Sequence, residues 1–198
     1  MELKNISVTL LLIAICVVVF VLQNLLDPNY DITDALAFSP QYAFSRPWIF
    51  VTSIFLHADI LHIASNMIAL FFFGIYLERK ISKTSFILIF LISGIIGNLL
   101  FMAMATDPTV EGIGASGAIF GIMGTLTVLE PMSIVFAYGI PMPMFVASIF
   151  FFLLNYFQLL GPDIGYGAHI GGLLFGILAG FYYRRKLSGN AFIFKQTY

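Results

Sequence analysis

Charge is what this sequence has least of. Asp, Glu, Lys and Arg together make up 10% of its 198 residues, and the formal net charge is −1. That scarcity excludes a nucleic-acid partner, because the few cations sit at segment ends and form no basic stripe. Cysteine is nearly absent too: Cys16 stands alone, so no internal disulfide can form, and its place between Ile13 and Val21 makes it a small apolar residue. Histidine occurs only at 57, 62 and 169, and none of these pairs has the His-x-x-x-His spacing of a zinc helix. No metal and no cofactor is implied.

What remains is apolar. Hydrophobic residues make up 60% of the chain, with a mean hydropathy of +1.00, which describes an all-α integral membrane protein. Six apolar runs, about 6–26, 61–77, 85–105, 116–129, 142–160 and 168–183, are expected to span the bilayer as one membrane domain covering 1–198. The first run is expected to be kept. Ala35-Leu36-Ala37 resembles a small-residue cleavage site, but Asp27, Pro28, Asn29, Asp31 and Asp34 separate it from the apolar stretch. With six spans both termini share a side. Lys4, Arg79, Lys80, Lys83, Arg184, Arg185, Lys186 and Lys195 fall on that side and only Arg46 opposite, so both termini are expected to be cytoplasmic, in the plasma membrane.

Two segments depart from a plain bundle. The outer loop from Asp27 to about Ile60 carries Phe38, Tyr42, Phe44, Trp48, Phe50 and Phe55, an aromatic load suited to the headgroup region. The fourth run ends at Glu130-Pro131 after about fourteen residues. At 1.5 Å per residue it reaches roughly 21 Å, short of a hydrocarbon core of about 30 Å. A short, sunken fourth helix would carry Ser116 into the bilayer.

Ser116 lies in Gly114-Ala115-Ser116-Gly117, and His169 in Gly167-Ala168-His169-Ile170-Gly171-Gly172. A nucleophile-type serine and a base-type histidine at membrane depth point to hydrolysis within the membrane. Ser116 opens its helix, where free backbone N–H groups and the helix dipole favour an oxyanion. His62 and Asn66, spaced i, i+4, project from one face of the second span and would add side-chain donors. Taken alone, that pair also reads as interhelical hydrogen bonding, and Ser116 as a small residue in a packing seam. Gly117, Gly121 and Gly124 on the fourth helix and Gly172, Gly176 and Gly180 on the sixth form small-xxx-small rows that allow close approach. No carboxylate is placed to orient His169, since Asp107, Glu111 and Asp163 read as solvated loop charges, so a Ser–His dyad is the economical proposal.

Taken in order, His62-x-x-x-Asn66, Gly114-x-Ser116-Gly117 and Ala168-His169-x-Gly171-Gly172 resemble the rhomboid family of intramembrane serine proteases, prokaryotic six-span type, over about Trp48 to Gly180. The resemblance implies a six-helix rhomboid bundle with Ser116 as nucleophile and His169 as general base. It also implies an oxyanion hole from His62, Asn66 and the Ser116 N–H, supported by Gly114, Gly117, Phe120 and Gly172. His57 and Glu78-Arg79 match positions that the family uses for structure. Two departures stand out: Arg46-Pro47-Trp48-Ile49 replaces the outer-loop Trp-Arg of many members, and Phe120 replaces a tyrosine, keeping the stack on the histidine without its hydroxyl. The implied substrates are single-span membrane proteins in the lipid bilayer, entering between the second and fifth spans, with Phe145, Phe150, Phe151, Phe152 and Phe157 on the mobile wall. Gating by that helix or by the loop from Gln158 to Tyr166 would govern access, and the oligomeric state is left open. The rival reading is a non-catalytic relative that binds membrane helices, disfavoured because both Ser116 and His169 are present. A channel or transporter is disfavoured by the lack of charged residues inside the spans.

Overall fold

The computed structural model describes residues 7–26, 31–137, 139–157 and 165–195. Lys4, Ile6, Asp27, Pro28, Asn29, Asp163 and the stretch 158–164 of the expected gating loop lie outside them. The chain forms an α-helical membrane bundle: α1 (Val8–Leu26), α4 (Ile60–Ala69) continued through a π turn (Leu70–Gly74) into α5 (Ile75–Glu78), α6 (Lys83–Met104), α7 (Ser116–Leu129), α8 (Met144–Tyr156) and α9 (Tyr166–Lys195). Among the described residues three helices are both long and apolar enough to cross a membrane, Val8–Leu26, Ile60–Glu78 and Lys83–Met104.

Local chemistry sets the helix starts. Asp59 caps α4, its carboxylate accepting from the His62 N–H at 2.8 Å, and Ser82 caps α6 by accepting from the Ser85 N–H. The start of α1 is tied to the end of α5: Glu78 accepts from the N–H groups of Val8 and Thr9 and from the hydroxyls of Ser7 and Thr9. Two orphan donors of the first turn of α1 are satisfied in this way.

The short helix α7 is the hub. Ten of its fourteen residues are buried, and it packs most extensively against α9 and α6, which makes it the enclosed centre of the bundle. Around it Phe86, Phe90, Leu70, Leu77, Ile122, Leu126, Met144 and Cys16 form one buried core, so Cys16 faces neighbouring helices. α7 stops at Glu130, whose carboxylate accepts from the Lys80 ammonium. Each partner holds the other charged: the Lys80 hydrogen bond keeps the Glu130 carboxyl below its ordinary value, and Glu130 keeps Lys80 above its own.

Two parts differ from the expectation. The outer segment is a folded cap containing α2 (Asp31–Leu36), α3 (Ile49–Thr52) and 3-10 turns at Pro40–Tyr42 and Ser53–Phe55. Its own small core of Phe38, Ala43 and Ile49 rests on Phe101 and Met102 of α6. Phe44 remains 89% exposed and Trp48 half exposed, aromatic surface of the kind suited to headgroups. The fifth run does not begin as helix at 142. An antiparallel hairpin, β1 (Ile134–Ala137) and β2 (Ile140–Pro143), precedes it, with Ile134 opposite Pro143 and Ala137 opposite Ile140. The β-branched and aromatic residues of Ile134-Val135-Phe136 favour strand, and Pro141 and Pro143 delay the helix until Met144.

Candidate active site

The site is built where α7 begins against α4 and α9. Residues Gly112 to Ala115 lead into α7 and are pinned from two sides. Gly112 and Phe38 exchange backbone hydrogen bonds at 2.7 and 3.0 Å, and the Gly114 N–H donates to the Ser53 carbonyl at 2.9 Å. Asn98 of α6 fixes the support in turn, its side-chain amide donating to the Phe50 carbonyl and the Ser53 hydroxyl, both at 3.0 Å. Gly114 adopts φ +123°, a conformation that L side chains rarely take, which turns the chain into α7.

Ser116 therefore sits half-buried in the first turn of α7, and His169 is buried in the first turn of α9. The structure brings them together: His169 Nε2 lies 2.6 Å from Ser116 Oγ, within hydrogen-bond reach of a nucleophile and its base. Phe120, one turn along α7, stacks on the His169 ring with centroids 4.6 Å apart and an interplanar angle of 11°.

Glycines set that distance. A Cβ on Gly172 would collide with the Gly117 carbonyl oxygen, and one on Gly176 with that of Gly121, so α7 and α9 meet main chain to main chain. On the neighbouring face of α9, Gly167 and Gly171 take up α6 less tightly, a Cβ lying 2.9 Å from Phe101 Cα at the first and 2.8 Å from the Ile96 carbonyl oxygen at the second. Thr125 bridges the Gly121–Gly176 contact, its hydroxyl 2.9 Å from the Gly121 carbonyl and 3.0 Å from that of Gly176.

His62 flanks the same space, and Asn66 lies one turn further along α4. A Cβ on Gly114 would lie 2.7 Å from His62 Nε2 and 3.8 Å from Ser116 Oγ, so the missing side chain leaves a hollow that both atoms border. Asn66 is buried; its amide donates to the His62 carbonyl at 2.9 Å, and its Oδ1 has no partner among the described residues. His57 stands behind His62, ring centroids 5.2 Å apart. Along α4–α5, between that helix, the β1 strand and Phe151 of α8, a cavity of about 950 Å³ reaches from Ser65 to Arg79; Ser116, His169, His62 and Asn66 are not among its lining residues.

Three supporting residues escape the sequence reading: Asn98, Ser53 and Thr125. Asn98 carried a signal, a lone amide inside the apolar run 85–105.

A family model described as Rhomboid domain matches residues 45–186. The chain belongs to the rhomboid family. Similar proteins include Rhomboid-like protease 3 of Toxoplasma gondii, 29% identical over 186 residues, covering 86% of this chain and 67% of that protein. RHOMBOID-like protein 6, mitochondrial, of Arabidopsis thaliana is 35% identical over 137 residues, 69% of this chain and 44% of that protein. Rhomboid protease GlpG of Yersinia pseudotuberculosis is 24% identical over 184 residues, 90% of this chain and 63% of that protein. The rhomboid chain thus spans about two thirds or less of these relatives' length, and it is a multi-pass membrane protein of a family with members named as proteases.

Proposed function

We propose that this protein is an intramembrane serine endopeptidase that cleaves transmembrane segments of single-span membrane proteins with a Ser116–His169 dyad. The observation that carries the reading is the 2.6 Å contact between Ser116 Oγ and His169 Nε2 at the start of two helices held together by glycines. His169 takes the hydroxyl proton as Oγ attacks the peptide carbonyl, forming a tetrahedral adduct with a negatively charged oxygen. That oxygen occupies the hollow beside Gly114, where His62, Asn66 and the Ser116 N–H donate to it. Collapse of the adduct breaks the C–N bond, His169 hands its proton to the leaving amine, and water then hydrolyses the acyl-serine by the same steps. Phe120 holds the imidazole by stacking.

A peptide bond inside an intact helix is shielded, so the substrate unwinds locally to reach Ser116. It enters between α4 and α8, where the cavity leaves the wall open, and α8 is the part that moves. In this reading the protein is one six-span domain over 1–198 of the plasma membrane, with α7, α8 and α9 joining the three long helices and both termini cytoplasmic.

Purified protein in liposomes, given a fluorescent single-span reporter, is expected to cut it. Ser116→Ala and His169→Ala are expected to reduce cleavage by roughly 10⁴-fold or more with melting temperatures near the parent's, as expected for members of one catalytic unit. Cleavage by Ser116→Ala at the parent rate would overturn the mechanism. Inactivity of the parent toward several reporters would favour a protein that binds membrane helices without cutting them.

A further inference from the structure

The cavity between α4–α5 and α8 has two unlike ends. Its upper end is at Ser65, one turn along α4 from His62; its lower end, where Tyr76 and Ser133 also line it, reaches Arg79, fourteen residues on and about 20 Å along the helix. The walls between are apolar and include Phe72, Phe136 and Phe151; Phe72 and Phe136 are strongly exposed.

The charges at the lower end do not balance. Lys80 and Glu130 form an ion pair and cancel, and the Ser133 hydroxyl donates to Glu130 and lies 2.8 Å from the Tyr76 hydroxyl. Glu78 is occupied by the start of α1. Arg79, exposed, has no carboxylate partner among the described residues. One uncompensated guanidinium thus stands at the mouth of an apolar slot, on the face where Lys80, Lys83 and Arg184 to Lys186 also lie.

We propose that this slot binds one anionic phospholipid of the cytoplasmic leaflet, its phosphate on Arg79 and an acyl chain between α5, the hairpin and α8. The guanidinium fork matches phosphate oxygens bidentately, and basic pockets between membrane helices on the cytoplasmic side suit anionic headgroups. The slot's length accommodates a chain from one leaflet, roughly half of a 30 Å hydrocarbon core. A substrate helix fits this end poorly, because residues flanking a span on the cytoplasmic side are enriched in Lys and Arg and would be repelled by Arg79. The site rests on the orientation given above and is independent of catalysis by Ser116.

The test is native mass spectrometry of the delipidated protein in detergent, titrated with phosphatidylglycerol or with phosphatidylcholine of the same chains. The parent is expected to bind one phosphatidylglycerol at least about tenfold more tightly than phosphatidylcholine, 1.4 kcal/mol per tenfold. Arg79→Gln is expected to abolish that preference, Arg79→Lys to keep part of it, and Phe136→Ala to weaken both lipids while the preference stays. Lys83→Gln, on the same face but outside the cavity, is expected to leave it unchanged. Equal binding of the two lipids by the parent overturns the proposal, as does an Arg79→Gln protein, folded by its melting temperature, that keeps the preference. So does an equal loss in Lys83→Gln, which would mean diffuse surface attraction.

Discussion

Gly114 is the residue on which the site turns, although it bears no functional group. Its φ of +123° and the 2.7 Å between a would-be Cβ and His62 Nε2 mean that any side chain here strains the backbone and fills the hollow proposed for the oxyanion. Gly114→Ala is therefore expected to lose at least about 10²-fold in reporter cleavage, the size of one lost oxyanion contact, while the protein still folds. A variant that cuts at the parent rate would remove the hollow from the mechanism. The sequence displays this glycine but not the sign of its φ. Ser116 and His169, which the structure brings to 2.6 Å, stand out in the sequence because polar groups contrast with apolar runs, and the same contrast nominates His62 and Asn66. Asn98 has the same contrast and was passed over, since an amide that holds a loop through Phe50 and Ser53 has no partner nearby in the sequence.

Among the elements, the α7–α9 pair carries the site. The four-residue glycine spacing on α9 was readable as a close-packing face; that a second face, Gly167 and Gly171, grips α6 was not singled out, because the glycines of both faces interleave in one short stretch. Gly176→Ala is expected to push α9 away from the Gly121 carbonyl and strain the Thr125 bridge, destabilising the protein by about 1–3 kcal/mol, as over-packing does elsewhere. The melting temperature in detergent should fall by several degrees and cleavage should fall with it, whereas Leu178→Ala, on the exposed face of the same helix, should change neither. An unchanged melting temperature for Gly176→Ala would contradict the main-chain contact. The hairpin is harder to read: Ile140 to Pro143 runs directly into the apolar α8, so one apolar run covers both, and only Pro141 and Pro143 mark where the helix cannot yet begin.

For the whole molecule, charge asymmetry and the length of the apolar helices argue the orientation. Lys83 opens α6 and Asp107 lies beyond its other end. Lys83→Cys is expected to react with an impermeant thiol reagent only from the cytoplasmic side and Asp107→Cys only from outside, while Cys16, fully buried, stays unlabelled. Reaction of both from one side would overturn the topology. An apolar helical membrane bundle was legible from composition; three described helices are long and apolar enough to cross a membrane, whereas α7, at fourteen residues, is shorter. Burial inside the bundle compensates α7, which meets protein where a longer helix would meet lipid.

The glycine contact between α7 and α9 has an evolutionary consequence. The spacing of Ser116 and His169 rests on main-chain atoms, which substitutions elsewhere in the chain leave unaltered. Residues along the wedge, such as Ile68, Phe72 and Phe151, can diverge between lineages and alter what is admitted without resetting that spacing. On the proposed mechanism, a change along the wedge alters what is admitted while the main-chain contacts keep the dimensions of the reactive centre.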